Sequence, residues 1–380
     1  MNTDVRPEWA SSKRLVVKIG SSLLIDAATG ALNRPWLMSL IDDIADLRAA
    51  GREIVLVSSG AVGLGRGVLG LTDQPLALEQ SQAAAAVGQI RLAHDYQDAA
   101  ARHGIHVAQV LVTIQDTEQR RRYLNARQTI ETLLQLKTLP VVNENDTVAT
   151  NEIRYGDNDR LSARVASMVS ADCLVILSDI DGLYTEPPTA NPAARRLDVI
   201  HDITSDIEAM AGDAGSALAK GGMRTKLAAA KVAQAGGCHM VLASGLRDNP
   251  LRAIANGGPC TWFIAPSDPV TAKKRWLSGQ LDPLGEFTID AGAERALLDG
   301  KSLLPAGVVH IRGTFERGDP VVVRDEAGDE IARGLTAYGS DDALRIIGKQ
   351  SSQIAELLGF EGRSELVHRD DLALMRSGKT

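Results

Sequence analysis

The chain has 380 residues, of which 44% are apolar and 23% charged, with a formal net charge of −7. That length exceeds one ordinary core and predicts two or three domains of a globular protein. The acidic balance argues against broad binding to nucleic acid or to an anionic membrane. Cys173, Cys238 and Cys260 are odd in number and widely spaced, so they form no disulfide framework and no zinc cluster. Cys173 and Cys238 each open an apolar run and read as small core residues. The N-terminal stretch has no apolar signal segment and no run of 18 apolar residues occurs, so a cytoplasmic protein without membrane spans is expected.

In chain order, residues 15–19 form the first predicted buried strand, which ends in Lys18-Ile19-Gly20-Ser21-Ser22. A helical pattern covers 36–50, and strand 54–57 runs into Ser58-Ser59-Gly60-Ala61. Helix 76–102, strand 106–112 and helix 122–136 follow, then strand 140–142, which ends in Asn143-Glu144-Asn145-Asp146. Helix 159–170 leads to strand 173–177, closed by Ser178-Asp179. Residues 181–194 and 213–222 read as exposed loops, before helix 223–235 and strand 239–243. Short β-branched runs that alternate with helical patterns build βαβ units, and continuously apolar strands need cover on both faces. The expected class is therefore α/β, a mostly parallel open sheet sandwiched by helices. Beyond Ser278 the pattern changes to short alternating runs at 286–289, 308–311, 320–323 and 330–334, which predict a small, mainly β domain. The expected division is a first domain over 13–265, a linker over 266–283 and the β domain over 284–380.

In an open α/β sheet, ligands bind beyond the carboxyl ends of the strands. Polar and glycine residues gather at that rim. Lys18 lies inside an apolar run, so its ammonium either meets an anion or snorkels to water at the strand end. Gly20-Ser21-Ser22 offers backbone N–H groups to a phosphate. Lys220-Gly221-Gly222-Met223-Arg224-Thr225-Lys226 precedes an alanine-rich helix. It is either a solvated hinge or a second anion corner, with Lys226 reaching a phosphoryl group. The cluster Asp157-Asn158-Asp159 is either a helix cap or a polar site, in which Asp157 and Asn158 hold an ammonium group and Asp159 orients two lysines. Two lysines and two glycine corners suit a clamped polyphosphate, because phosphoryl transfer needs mainly positioning and positive charge.

Other motifs carry less. Gly65-Arg-Gly-Val-Leu-Gly70 matches G-x-G-x-x-G but does not abut the strand that ends at Val57. Gly378-Lys379-Thr380 lacks the first glycine of a P-loop, since position 373 is alanine. His94, His103 and His106 are too irregularly spaced for a metal site.

Leu15-Val-Val-Lys-Ile-Gly-Ser-Ser, Val57-Ser-Ser-Gly-Ala, Val142-Asn-Glu-Asn-Asp-Thr-Val-Ala-Thr, Gly156-Asp-Asn-Asp and Gly221-Gly-Met-Arg-Thr-Lys together resemble the glutamate 5-kinase family of the amino acid kinase superfamily. Tyr123-Leu-Asn-Ala-Arg and Asp181-Gly-Leu-Tyr-Thr fit it too, and the match runs in order from about residue 13 to 263. The resemblance implies the amino acid kinase fold and ATP-dependent formation of glutamyl 5-phosphate, the first step of proline synthesis. It implies catalytic roles for Lys18, Lys226 and Asp159, and a glutamate site of Ser59, Asn143, Asp146, Asp157 and Asn158. It further implies an ATP site of Lys18, Gly20, Ser178, Asp179, Lys220, Gly221, Gly222, Met223, Arg224, Thr225 and Lys226. Ser178 stands where members often carry threonine, and Lys220 where threonine is common. Magnesium would travel with the ATP. Proline as inhibitor and a homodimer or homotetramer are expected on the same ground. Ser302-Leu-Leu-Pro-Ala-Gly-Val and Gly313-Thr-Phe-Glu-Arg-Gly-Asp resemble a PUA domain. From Pro283 onward the chain holds 12 Lys and Arg against 17 Asp and Glu, which makes it a poor phosphate binder and favours a structural or regulatory role.

Overall fold

The computed structural model describes residues 6–26, 29–71, 75–148, 158–211, 222–279 and 282–375. The chain divides into two compact units. The first comprises residues 1–118 and 125–269, and the second residues 119–124 and 270–380.

The strands of the first unit are β1 (Arg14–Ile19), β2 (Glu53–Val57), β3 (Val107–Val112), β4 (Leu139–Glu144), β5 (Cys173–Ser178), β6 (Leu183–Tyr184), β7 (Arg196–Leu197), β8 (Val199–Ile200), β9 (His239–Ser244) and β10 (Cys260–Phe263). Its helices are α1 (Pro7–Ser11), α2 (Ser21–Leu24), α3 (Arg34–Ala49), α4 (Ala61–Leu69), α5 (Leu78–Ala101), α6 (Ile114–Glu118), α7 (Arg120–Gln135), α8 (Asn158–Met168), α9 (Ser205–Met210), α10 (Met223–Ala235) and α11 (Pro250–Ala255); the first residues of α7 group with the second unit. Eight strands form one sheet in the order β3-β4-β2-β1-β5-β9-β10-β8. The pairs across β3, β4, β2, β1, β5 and β9 are parallel, and β10 runs antiparallel to β9. From β1 the chain adds β2 beside it, places β3 at the edge and β4 between β2 and β3, then crosses to β5 on the other side of β1. The strand order thus reverses between β1 and β5, the crevice where doubly wound sheets take ligands.

The core explains the strand composition. All six residues of β4 and of β5 are buried, as is every residue of β1 after Arg14. Leu15, Val17, Ile19, Ile54, Leu56 and Val175 share one cluster with Leu37, Leu40, Ile41 and Ile44 of α3. Cys173, Cys238 and Cys260 are all buried free thiols. Residues 181–194, expected as an exposed loop, include β6, which pairs with β7 and buries Leu183. Two residues are too short a run to signal a strand.

The glycine pattern at 65–70 lies in α4, and its purpose is packing. A methyl on Gly65 would stand 1.8 Å from the Ala84 carbonyl oxygen, and one on Gly88 1.8 Å from that of Ala61. Helices α4 and α5 therefore touch backbone to backbone, and only hydrogen fits between them. Gly70 closes α4 at φ 66, a left-handed position that suits glycine.

The second unit holds a five-stranded sheet of β11 (Gly285–Ile289), β12 (Val308–Gly313), β13 (Pro320–Arg324), β14 (Glu330–Leu335) and β15 (Leu372–Leu374), in the order β12-β11-β13-β14-β15. Alternation along β11 buries Phe287 and Ile289, and Phe287 meets Phe315 edge to face at 5.6 Å. Substituting Gly65 or Gly88 by alanine should force α4 from α5. We expect a loss of about 1–3 kcal/mol in denaturant unfolding, and an unchanged midpoint would contradict the backbone contact.

Candidate active site

β1 delivers Lys18 to the crevice. Strand geometry sets the residue in register with Val57 of β2 and Ile176 of β5, and the residue is only 8% exposed. Asp159 lies in the first turn of α8 and Lys226 in the first turn of α10. These helices pack against each other through small side chains, with Ala163, Ala166, Ala229, Ala230 and Ala233 all buried. The close approach brings three charges together. Lys18 Nζ is 2.6 Å from Asp159 Oδ1, and Lys226 Nζ is 3.3 Å from Asp159 Oδ2. Thr225 Oγ1 donates to Asp159 Oδ2 at 2.8 Å. Asp159 itself is 2% exposed. Burial alone would raise its carboxyl pKa, but Lys18 and Lys226, with hydrogen bonds from Lys18 and Thr225, hold it below the usual carboxylate range. Two ammonium groups thus meet on one buried carboxylate, in a place with little water.

The next residues form a polar cradle. Ser59 follows β2 and donates to Ile19 O at 2.7 Å. Asn143 is the penultimate residue of β4; its Oδ1 accepts from Glu144 N–H at 2.8 Å, while its buried Nδ2 has no partner among the described residues. Asn158 donates to Ser58 O at 3.4 Å, and its buried Oδ1 is likewise without a partner among the described residues. Orphaned buried amide atoms are costly, and here they line a cavity. Asp146 lines the same cavity, and burial pushes its carboxyl up to about 6.

The other half of the cavity begins at Gly20, whose N–H donates to Leu177 O at 3.3 Å and bridges β1 to β5. Ser178 is buried and donates to Asp179 Oδ1 at 2.9 Å, and both residues line the cavity. Gly222 and Met223 line it too, at the start of α10. Arg224 is exposed and is not among the lining residues, and Thr225 acts through Asp159. Asp157, Lys220 and Gly221 lie outside the described residues. The cavity spans about 1800 Å³, enough for two substrates side by side. Its wall also includes Tyr184, Met210, Ser244 and Arg247, which sequence reasoning missed. The strand-end rule that located Ser59 and Ser178 applies equally to the end of β9 and would have found the last two.

A profile described as the amino acid kinase family matches residues 13–244, and one described as the PUA domain matches residues 285–358. The chain is 58% identical over 369 residues to a glutamate 5-kinase of Rhodopseudomonas palustris (strain HaA2), which covers 97% of this chain and 98% of the relative. It is 60% identical over 369 residues to that of Nitrobacter winogradskyi, at 97% coverage of each. The chain belongs to the amino acid kinase family and, within it, to the glutamate 5-kinases. A carbamate kinase from Giardia lamblia bound to AMP-PNP aligns at TM-score 0.47 and 20% identity, over 67% of this chain and 99% of that one. This glutamate 5-kinase family member therefore joins a kinase unit with a mostly parallel sheet to a mainly β PUA domain. No helix among the described residues is long and apolar enough to cross a membrane.

Asp146 supplies a test of the cradle. Its folded pKa is raised to about 6, so the folded state holds the proton more tightly than the unfolded chain does. Stability should fall as pH rises from about 4 to about 6 and then stay flat with the penalty in place. Asp146→Asn should therefore be the more stable protein at pH 7, by on the order of 1–2 kcal/mol, and lose that advantage near pH 4. A difference in unfolding free energy that does not change with pH would contradict the burial of this carboxyl.

Proposed function

We propose that this chain transfers the γ-phosphoryl group of ATP to the side-chain carboxylate of L-glutamate, giving L-glutamyl 5-phosphate and ADP in the first step of proline synthesis. A carboxylate oxygen of glutamate forms the new P–O bond while the bond from the γ-phosphorus to the β–γ bridging oxygen breaks and its electron pair leaves with ADP. No proton needs to move. Catalysis then rests on alignment and on positive charge around the equatorial oxygens. The observation behind the reading is the pair of ammonium groups, Lys18 and Lys226, on the two oxygens of Asp159. In this role Asp159 holds both lysines at fixed places, and each lysine faces the phosphoryl as its charge spreads in the transition state.

Ser59, Asn143, Asp146 and Asn158 suit the α-amino and α-carboxylate groups of glutamate, since they offer both acceptors and donors at one wall. Asp146 suits the ammonium group. Gly20, Ser178, Asp179, Gly222 and Met223 suit the nucleotide. Asp159 is committed to the lysines, and no group of three ligating side chains occurs among the described residues. A magnesium ion would thus be carried chiefly on the phosphate oxygens of ATP, where it neutralises their charge. Inhibition by proline, assembly as a homodimer or homotetramer and a cytoplasmic location belong to the same reading. We assign the PUA domain, with its acidic balance, a structural or regulatory role.

ADP release should be measured with glutamate, aspartate, acetylglutamate and carbamate as acceptors. Glutamate should be preferred, and Lys226→Ala should lower kcat roughly a hundredfold or more while the melting temperature changes little. Glutamate turnover at background, or full turnover by Lys226→Ala, would remove the reading.

A further inference from the structure

The carboxyl end of β9 stands next to that of β5. Ser244 is in register with Ser178, and the Gly245 N–H donates to Ser178 O at 2.7 Å. A methyl on Gly245 would strike Leu23 at 2.4 Å, so the turn after β9 is pressed against α2, the short helix that opens after Gly20. Three adjacent strands, β1, β5 and β9, thus present their ends along one wall of the cavity.

The turn is gripped from behind by α3. Trp36 Nε1 donates to Gly245 O at 2.6 Å. Asn249, held at φ 52 in the left-handed region, donates its N–H to Ser39 Oγ at 3.2 Å and its Nδ2 to Asp43 Oδ1 at 3.0 Å. Asp43 Oδ2 accepts from Leu251 N–H at 2.9 Å and Arg252 N–H at 3.1 Å. Asp43 is 2% exposed, so a buried carboxylate ties both Asn249 and the N-terminus of α11 to α3. The turn carries one cationic side chain that is exposed and lines the cavity.

That side chain is Arg247. The described cations that line the cavity are Lys18, Arg66, Lys226 and Arg247. Lys18 and Lys226 pair with Asp159, and Arg66 donates to Leu71 O. Arg247 has no hydrogen bond or ion pair among the described residues. An exposed guanidinium on the wall of a cavity that Lys18 and Lys226 also line is suited to a phosphate, which it can meet with two parallel N–H bonds.

We infer that Arg247 is a further nucleotide-binding residue that pairs with the phosphate chain of ATP, and that Asp43 is the positioning residue that fixes its turn. This rests on the reading that the β1–β5 crevice holds ATP. Calorimetric binding of a non-hydrolysable ATP analogue, with the KM values for ATP and for glutamate, should be measured for the wild type, Arg247→Gln, Arg247→Lys and Asp43→Asn, with Lys226→Ala as control. Arg247→Gln should weaken the analogue roughly tenfold or more. It should also flatten the salt dependence of binding, with the KM for glutamate and the melting temperature unchanged. Arg247→Lys should recover part of the loss, and Asp43→Asn should raise the KM for ATP but not that for glutamate. If Lys226→Ala weakens the analogue and Arg247→Gln does not, the Arg247 contact is wrong and the ATP site stands. Equal losses for Arg247→Lys and Arg247→Gln would also overturn the contact. A wild type that does not bind the analogue would overturn both.

Discussion

One buried carboxylate between two ammonium groups organises the kinase unit's site. Each lysine takes one oxygen of Asp159. The cluster is held at low exposure by three elements far apart in sequence: β1, α8 and α10. Isolated, any one of these charges would be expelled to water or neutralised. Together they form a charge-paired cluster that can stay buried, and phosphoryl transfer needs positive charge held in place in this way.

The sheet makes this arrangement possible. Parallel strands buried on both faces must end somewhere, and their carboxyl ends lie at one rim. Because strand order reverses between β1 and β5, the segments leaving those two strands diverge and open a crevice. Gly20 and Leu177 bridge its floor. Ser59 and Asn143 come from the strands on one side, while Ser178 and Gly245 come from the other. The two groups of cavity-lining residues are thus separated by β1 itself, with Lys18 at the boundary. Backbone contact between α4 and α5 carries the same economy outward, as Gly65 and Gly88 let the helix after Ser59 sit close.

Much of this was legible in the sequence. A lysine inside an apolar run, at the end of a strand, has few physical explanations, and the strand-end rule points to Ser59, Asn143 and Ser178. For Asp159 the sequence left a helix cap and an orienter of two lysines both open, and the structure shows the pairing with both lysines. What escaped has physical causes. Helix α4 contains three glycines in nine residues, so its propensity is poor and only its contact with α5 explains it. β6 is two residues long and is made by pairing with β7. The grip of Asp43 on Asn249 joins residues 206 apart, and no local pattern announces such a contact. Nor does the sequence reveal that Asp146 is buried enough to titrate at about 6.

The most direct measurement is a structure of the enzyme with glutamate, ADP, magnesium and a planar metal fluoride in place of the transferring phosphoryl. Both Lys18 Nζ and Lys226 Nζ should lie within about 3 Å of the fluoride ligands, with Asp159 still between them. A complex in which either lysine turns away from the fluoride, or in which Asp159 leaves the lysines to bind the metal, would contradict the account.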